Sequence, residues 1–296
     1  MFKKLILGSI KCNIIRLLEK AESYQTHRFA LVDFRGLMDD PIKALKRSAG
    51  RPVLINFPLK SCRSMLPVAF PCTTTSGHPL IETVLGILNG TVTSYMGSPL
   101  QKYYQFFQPA NLAELMGLEP MDNDSASRLS PYAFIFPWGG IPSARLMRKK
   151  LVVLSKENRA HYAKIAGKHG WVTCGPISVE KGMLEYSRQV KTLQSIQQHG
   201  YQRNDGKDGD VCGTVLVNDN DCVLGISPGQ HRIAALVALG YEAAPIRIGH
   251  TRIPIINRDE VDSWPSVKGG FFSAKQALEI FDRVYDGRQP FKKNIS

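Results

Sequence analysis

The sequence predicts a mixed α/β (α+β) fold, and four observations predict it. Short apolar runs at residues 29–34 and 52–58 flank a polar, helix-compatible stretch at 39–47, so strand and helix alternate from early in the chain. Further on, the apolar run 222–226 stops at Pro228-Gly229, a breaker pair that suits a tight turn. Beyond it Ile233, Leu236, Val237 and Leu239 fall on one helical stripe and Gly240 stands where a C-cap glycine would. Ile246 and Ile248 then alternate with Arg247, as half-buried strand residues do.

Composition sets the bounds. A chain of 296 residues with 43% hydrophobic and 21% charged residues is not disordered, and it is long enough for one large domain or two ordinary ones. We expect an α/β N-terminal region over 1–145, a basic helical connector over 146–169, a compact domain over 170–258 and a helical extension over 259–296. The net charge of +13 favours anionic partners: nucleic acid, phosphorylated sugars or an anionic membrane face.

Residues 1–20 read as an amphipathic basic helix. Leu7, Ile10, Ile14, Leu17 and Leu18 share a face, and Lys3, Lys4, Lys11, Arg16 and Lys20 supply charge. Such a helix rests on an anionic bilayer or packs on its own domain. Lys11 interrupts the apolar core and no small-residue cleavage site follows, which argues against a signal peptide. No stretch approaches the ~20 apolar residues of a membrane span, so the expectation is a cytoplasmic protein, with the inner membrane face as its one membrane option.

Asp39 or Asp40 should cap a helix opened by Pro41. Residues 67–77 read as loop, and a helix with an apolar stripe follows from His78. Ser98-Pro99 starts another, crowded with Tyr103, Tyr104, Phe106 and Phe107. That aromatic segment suits either a sugar- or base-binding platform or plain core. Residues 119–131 are breaker-rich loop, 134–140 an apolar end to the region, and 145–168 a basic helix whose charges are a solvated face or a phosphate-contacting stripe. The six cysteines contain no Cys-x-x-Cys pair, which points to free, mostly buried thiols.

In the second half, residues 218–221 fit a hairpin turn between strands at 214–217 and 222–226. Residues 204–211 form a loop without the closing glutamate of a calcium site. A last helix spans 273–285. The Pro228-Gly229 turn delivers Gly229, Gln230, His231 and Arg232 to a helix N-terminus, where unpaired N–H groups and the helix dipole favour an anion. Arg232 adds a fork suited to phosphate oxygens. The alternative is a capped helix whose Arg and His are simply solvated.

Gly229-Gln-His-Arg232-Ile-Ala-Ala-Leu, with Leu239-Gly240-Tyr and Pro245-Ile-Arg-Ile248, resembles the Gly-x-[His/Arg]-Arg-x-x-Ala signature of the ParB/sulfiredoxin superfamily. Upstream, Gly175-Pro-Ile-Ser-Val-Glu180-Lys and the run from Leu184 to Gly200 resemble that fold's opening strand, charged loop and first helix. The resemblance covers roughly residues 170–250. It implies a ParB/sulfiredoxin-like nucleotide-binding domain, phosphate contacts from Gly229, Gln230, His231 and Arg232, and lesser ones from Ser195 and Arg188. In the free-serine kinases of that superfamily a loop glutamate takes the acceptor's proton, and Glu185 matches its place, with Glu180 in reserve. A surface carboxylate paired with Lys181 or Arg188 is the plain reading of either. Sulfiredoxins carry cysteine where Gln230 stands, so sulfinic-acid reduction is not expected.

The resemblance thus implies ATP or CTP as nucleotide, with Mg²⁺, whose ligands the sequence leaves unknown. It further implies an ATP-dependent kinase or other transferase acting on a hydroxyl-bearing small molecule; the aromatic segment, read as shaping the acceptor site, and the basic residues 1–20 extend the acceptor to a glycan, as in bacterial surface-polysaccharide biosynthesis. Two alternatives stay open: a nucleotide-gated DNA-binding protein or nuclease, and a regulator that binds nucleotide without turnover. The segment after Ile248 is too short for both a helix-turn-helix region and a dimerisation segment.

Overall fold

The computed structural model describes residues 30–119, 125–161, 170–203, 209–249 and 253–291. The amphipathic segment expected at residues 1–20 lies outside these, as do residues 204–208 of the loop before the central hairpin.

Local signals build the elements. Asp40 accepts hydrogen bonds from the N–H groups of Ile42 and Lys43, so helix α1 (Pro41–Arg47) starts at Pro41. The same device recurs at α2 (Pro79–Leu88), where His78 Nδ1 accepts from Leu80, and at α3 (Pro99–Phe106), capped by Ser98. Helix α4 (Leu112–Met116) follows; α5 (Ala144–His161) is the basic helix and α6 (Val179–His199) the longest among the described residues. Helix α7 (Gln230–Ala238) follows the Pro228-Gly229 turn, and α8 (Pro265–Lys268) and α9 (Ala274–Asp286) close the chain, α9 with a Ser273–Gln276 capping box. None of the described helices is long and apolar enough to cross a membrane.

The strands are β1 (Val32–Asp33), β2 (Val53–Pro58), β3 (Cys62–Ser64), β4 (Phe70–Pro71), β5 (Cys212–Asn218), β6 (Asp221–Ile226), β7 (Ala243–Ile248) and β8 (Ile255–Asn257). They form one mixed sheet in the order β1-β2-β7-β5-β6-β3-β4, with β8 parallel to the far end of β5. The β5–β6 hairpin turns at Asn218–Asp221, with Asp219 at φ +52°. β2 runs antiparallel to β7 over six residue pairs, and β3 runs parallel to β6. The N-terminal region and the 170–258 segment therefore share one sheet and one core, where the sequence suggested a boundary between them. Helices α2 and α6 both pack on α7, which ties the two halves again.

One expectation is corrected and one open alternative is decided. No strand opens at residues 175–180: Ser178 accepts from Lys181 N and caps α6, so Val179 and Glu180 are already helical and Glu185 lies on the helix, not in a loop. The aromatic segment at 95–116 is largely core. Tyr103, Tyr104 and Phe107 are buried, and the two tyrosine hydroxyls donate to the carbonyls of Thr173 and Val172.

The C-terminal helix is pinned by one side chain. Arg283 is 4% exposed and its guanidinium donates to the carbonyls of Pro67, Val68, Met116 and Arg288. Three chain segments meet on it: 67–68, 116 and 283–288.

Candidate functional site

Helix α6, the first turn of α7, the inner face of the β5–β6 hairpin and residues 134–139 enclose a cleft of about 1300 Å³. Gly225 lies opposite Thr214 in the hairpin, and this pair with Leu216 makes the floor. All seven residues singled out from the sequence line this cleft: Glu185, Arg188 and Ser195 from α6, and Gly229, Gln230, His231 and Arg232 from the turn and α7. Glu180 does not; it is exposed on the first turn of α6.

The turn is locked to the hairpin. Cys212 N donates to Pro228 O (3.1 Å) and Ser227 N to Cys212 O (3.0 Å). Gly229 then takes φ +119° as the residue before α7, with no side-chain cap on the helix. A Cβ at Gly229 would lie 2.9 Å from the Val211 methyls, so both backbone conformation and space demand glycine. The first N–H groups of an α-helix have no intrahelical partner, and the residues at this helix start line the cleft.

Glu185 is the central side chain. It is 2% exposed, far from the surface carboxylate of the plain reading. His231 Nε2 lies 3.0 Å from its Oε2, and Arg188 Nη1 lies 3.3 Å from its Oε1. The expected pairing with Arg188 thus exists, between a partly exposed guanidinium and a buried carboxylate. Lys181, the other expected partner, sends its ammonium to Gly170 O at 2.7 Å. One turn on from Glu185, the buried Gln189 donates to the backbone carbonyl of His231 at 3.1 Å. Helix α6 therefore grips His231 twice, by its ring and by its backbone.

Arg232 is used differently from the sequence expectation. Its Nη1 donates to Gly209 O at 2.7 Å, and Nη2 reaches Asp210 O at 3.5 Å, fastening the approach to β5 to α7. Asp210 itself is buried against Arg203, whose Nε donates at 2.6 Å. Arg232 lines the cleft while holding its wall. Ser195 is exposed on α6, and its carbonyl contacts the His199 ring at 3.2 Å.

The charge balance of the lining is one-sided. Lys150, Arg188, Lys191 and Arg232 face it with His199 and His231, against Glu185 as the one carboxylate among the described lining residues. Such a lining favours an anion. Among the described residues no group of three or more His, Cys, Asp or Glu is gathered that could hold a metal ion. A lone carboxylate fits a divalent ion that arrives on ligand oxygens better than one resident in a protein cage.

The far wall was not foreseen as part of a site. Phe134, Phe136, Trp138 and Trp171 line it; Phe136 and Trp138 stack at 4.4 Å with 10° between planes. Lys150 from α5 sits over Trp171 at 3.6 Å and over Phe134 at 4.9 Å. Residues 134–140 were legible only as an apolar run, and Lys150 only as one charge in a basic helix. Neither carries a local mark of a cleft. No family model, no curated protein and no solved structure matches the chain.

Proposed function

We propose that the cleft binds a nucleoside triphosphate, ATP or CTP, and that the protein is a phosphotransferase acting on a hydroxyl-bearing small molecule or glycan. The observation that carries this reading is the Glu185–His231 contact. A buried carboxylate stands beside the α7 N-terminus in a cleft otherwise lined by cations. Phosphoryl transfer depends mainly on positioning and charge neutralisation, and this lining supplies both. The β5–β6 hairpin, α7 and β7 also follow in the order implied by the ParB/sulfiredoxin resemblance.

In this reading the start of α7, with Gln230, His231 and Arg188, would hold phosphate oxygens, and Mg²⁺ arriving with the nucleotide would supply charge neutralisation. Glu185 takes the proton from the acceptor hydroxyl. The hydroxyl oxygen bonds to the terminal phosphorus as the bond to the bridging oxygen breaks, releasing a nucleoside diphosphate. His231 and Arg188, one near each carboxylate oxygen, hold the Glu185 carboxylate in position. Arg232 keeps the wall in place through Gly209 and Asp210.

Thermal shift with ATP, CTP, GTP and ADP plus Mg²⁺, with duplex DNA in parallel, tests the reading, because a ligand of the folded state raises the melting temperature. A shift with ATP or CTP that survives in Glu185→Gln, with phosphoryl transfer lost by about 100-fold or more, is the expected result. Transfer unchanged in that variant would refute Glu185 as base. A shift with DNA alone would favour the nucleic-acid alternative, for which the +13 charge speaks.

A further inference from the structure

The cleft is larger than one nucleotide requires. Ligand pockets run to about 300–1000 Å³, and this one reaches about 1300 Å³. Its two ends also differ in chemistry: N–H groups and cations at α7, and aromatic rings at 134–138 and 171.

At the aromatic end stands a cation without an anion. The Lys150 ammonium makes no hydrogen bond or ion pair among the described residues, and its contacts are the faces of Trp171 and Phe134. Cation–π contact satisfies part of its charge but none of its three N–H donors. The Cys174 thiol is the titratable group whose charge acts on it, and burial pushes that thiol up to about 12, so it stays neutral. Burial in turn pulls the Lys150 amine down to about 8. An incoming anion would restore what burial removes.

The aromatic end is also joined to Glu185. The Tyr104 hydroxyl donates to Val172 O at 2.9 Å, next to Trp171. Burial, and after it the charge of Glu185, push the Tyr104 phenol well above its ordinary range, and Glu185 lines the same cleft as Trp171.

We propose that Lys150, seated on Trp171 and Phe134, recognises the carboxylate of a second ligand, a hydroxy acid of sugar size. Its ring or chain would lie against the aromatic wall, with a hydroxyl turned toward Glu185. A carboxylate fits better than a phosphate, because a dianion gathers several donors and Lys150 is a single point charge. Calling this ligand the phosphoryl acceptor rests on the function proposed above; the binding site itself does not.

The experiment is calorimetric binding of glucuronate, galacturonate and gluconate to the full chain, against glucose, galactose and glucose 6-phosphate. The acids should bind at least tenfold tighter than the neutral sugars, and Lys150→Met should remove that preference while leaving the ATP thermal shift intact. Should that variant fail to fold, amidination of Lys150 in the wild type, read by mass spectrometry, should slow at least fivefold with a saturating acid. Absence of binding by every acid, equal affinity for acids and neutral sugars, a preference for glucose 6-phosphate, unchanged acid binding in Lys150→Met, or unprotected Lys150 would each overturn the assignment. Acid binding that depends on Lys150 in a protein with no nucleotide shift would uphold this site and sink the phosphotransfer reading.

Discussion

Alanine at position 229 probes how the site is built. Gly229 has φ +119°, and a Cβ there would stand 2.9 Å from both Val211 methyls and 3.1 Å from Val211 Cα. Val211 cannot step back: it is fully buried, and its carbonyl accepts from Arg247 N at 2.8 Å. The bonds between Cys212, Ser227 and Pro228 hold the other side of the turn. A left-handed backbone costs a non-glycine residue about 1–2 kcal/mol, and overpacking a filled site adds about 1–3 kcal/mol. Gly229→Ala should therefore lose about 2–5 kcal/mol. Gly240 is the internal reference, because it has φ +82° with no atom within 4 Å of an added Cβ. Gly240→Ala should show the backbone cost alone, about 1 kcal/mol. Urea unfolding of both variants, with m-values matching the wild type, reads the difference directly. If the fold relieves the clash by sliding the first turn of α7, the loss shrinks but His231 leaves Glu185 and the nucleotide shift falls with it. Equal stability of the two variants, with a wild-type ligand response, would refute the reasoning.

Arg283→Ala strips the donor from four backbone carbonyls at once and should cost about 3–5 kcal/mol, measured as a lowered urea midpoint. His78 is buried and its pKa is pulled down to about 3, chiefly by burial. The unfolded chain then binds a proton between about pH 6.5 and 3 that the folded one refuses, so stability falls with acid across that window by about 1.4 kcal/mol per pH unit. His78→Asn, which keeps a capping side chain, should flatten that slope in pH-dependent unfolding. Lys150 gives the same case at alkaline pH. Its amine titrates near 8 folded and near 10.5 unfolded, so stability should rise from pH 8 to 10.5 by about 1.4 kcal/mol per unit, and Lys150→Met should lack the rise. Binding of a hydroxy acid should weaken as pH climbs through 8, since the deprotonated amine offers no charge.

What the sequence determined by itself is local. Asp40-Pro41, Ser98-Pro99 and Ser273 started the helices where they stand, because a cap and a first-turn proline act over three or four residues. Residues 218–221 and Pro228-Gly229 turned the chain for the same reason. Gly229, Gln230, His231 and Arg232 were legible as a group, since the turn and the helix start sit in one short stretch.

Only the tertiary structure decided which strands lie side by side. The pairings of β2 with β7 and β3 with β6 join segments far apart in the chain, and apolar runs such as 53–58 carry no mark of their partner. That one fact turned two expected regions into one sheet. Apolar patterning likewise could not say which aromatics were core: Tyr103, Tyr104 and Phe107 went inside, while Phe134 and Phe136 of an irregular segment came to face the cleft. Glu185 could be named from sequence, but its burial and its contact with His231 depend on α6 packing across α7. The seat of Lys150 on Trp171 follows from the meeting of α5 with a loop beyond it, and charge patterning alone reads that lysine as solvent. Caps and turns are short-range energies written in adjacent residues. Burial is decided by whatever packs on top, and that is settled only when the whole chain closes.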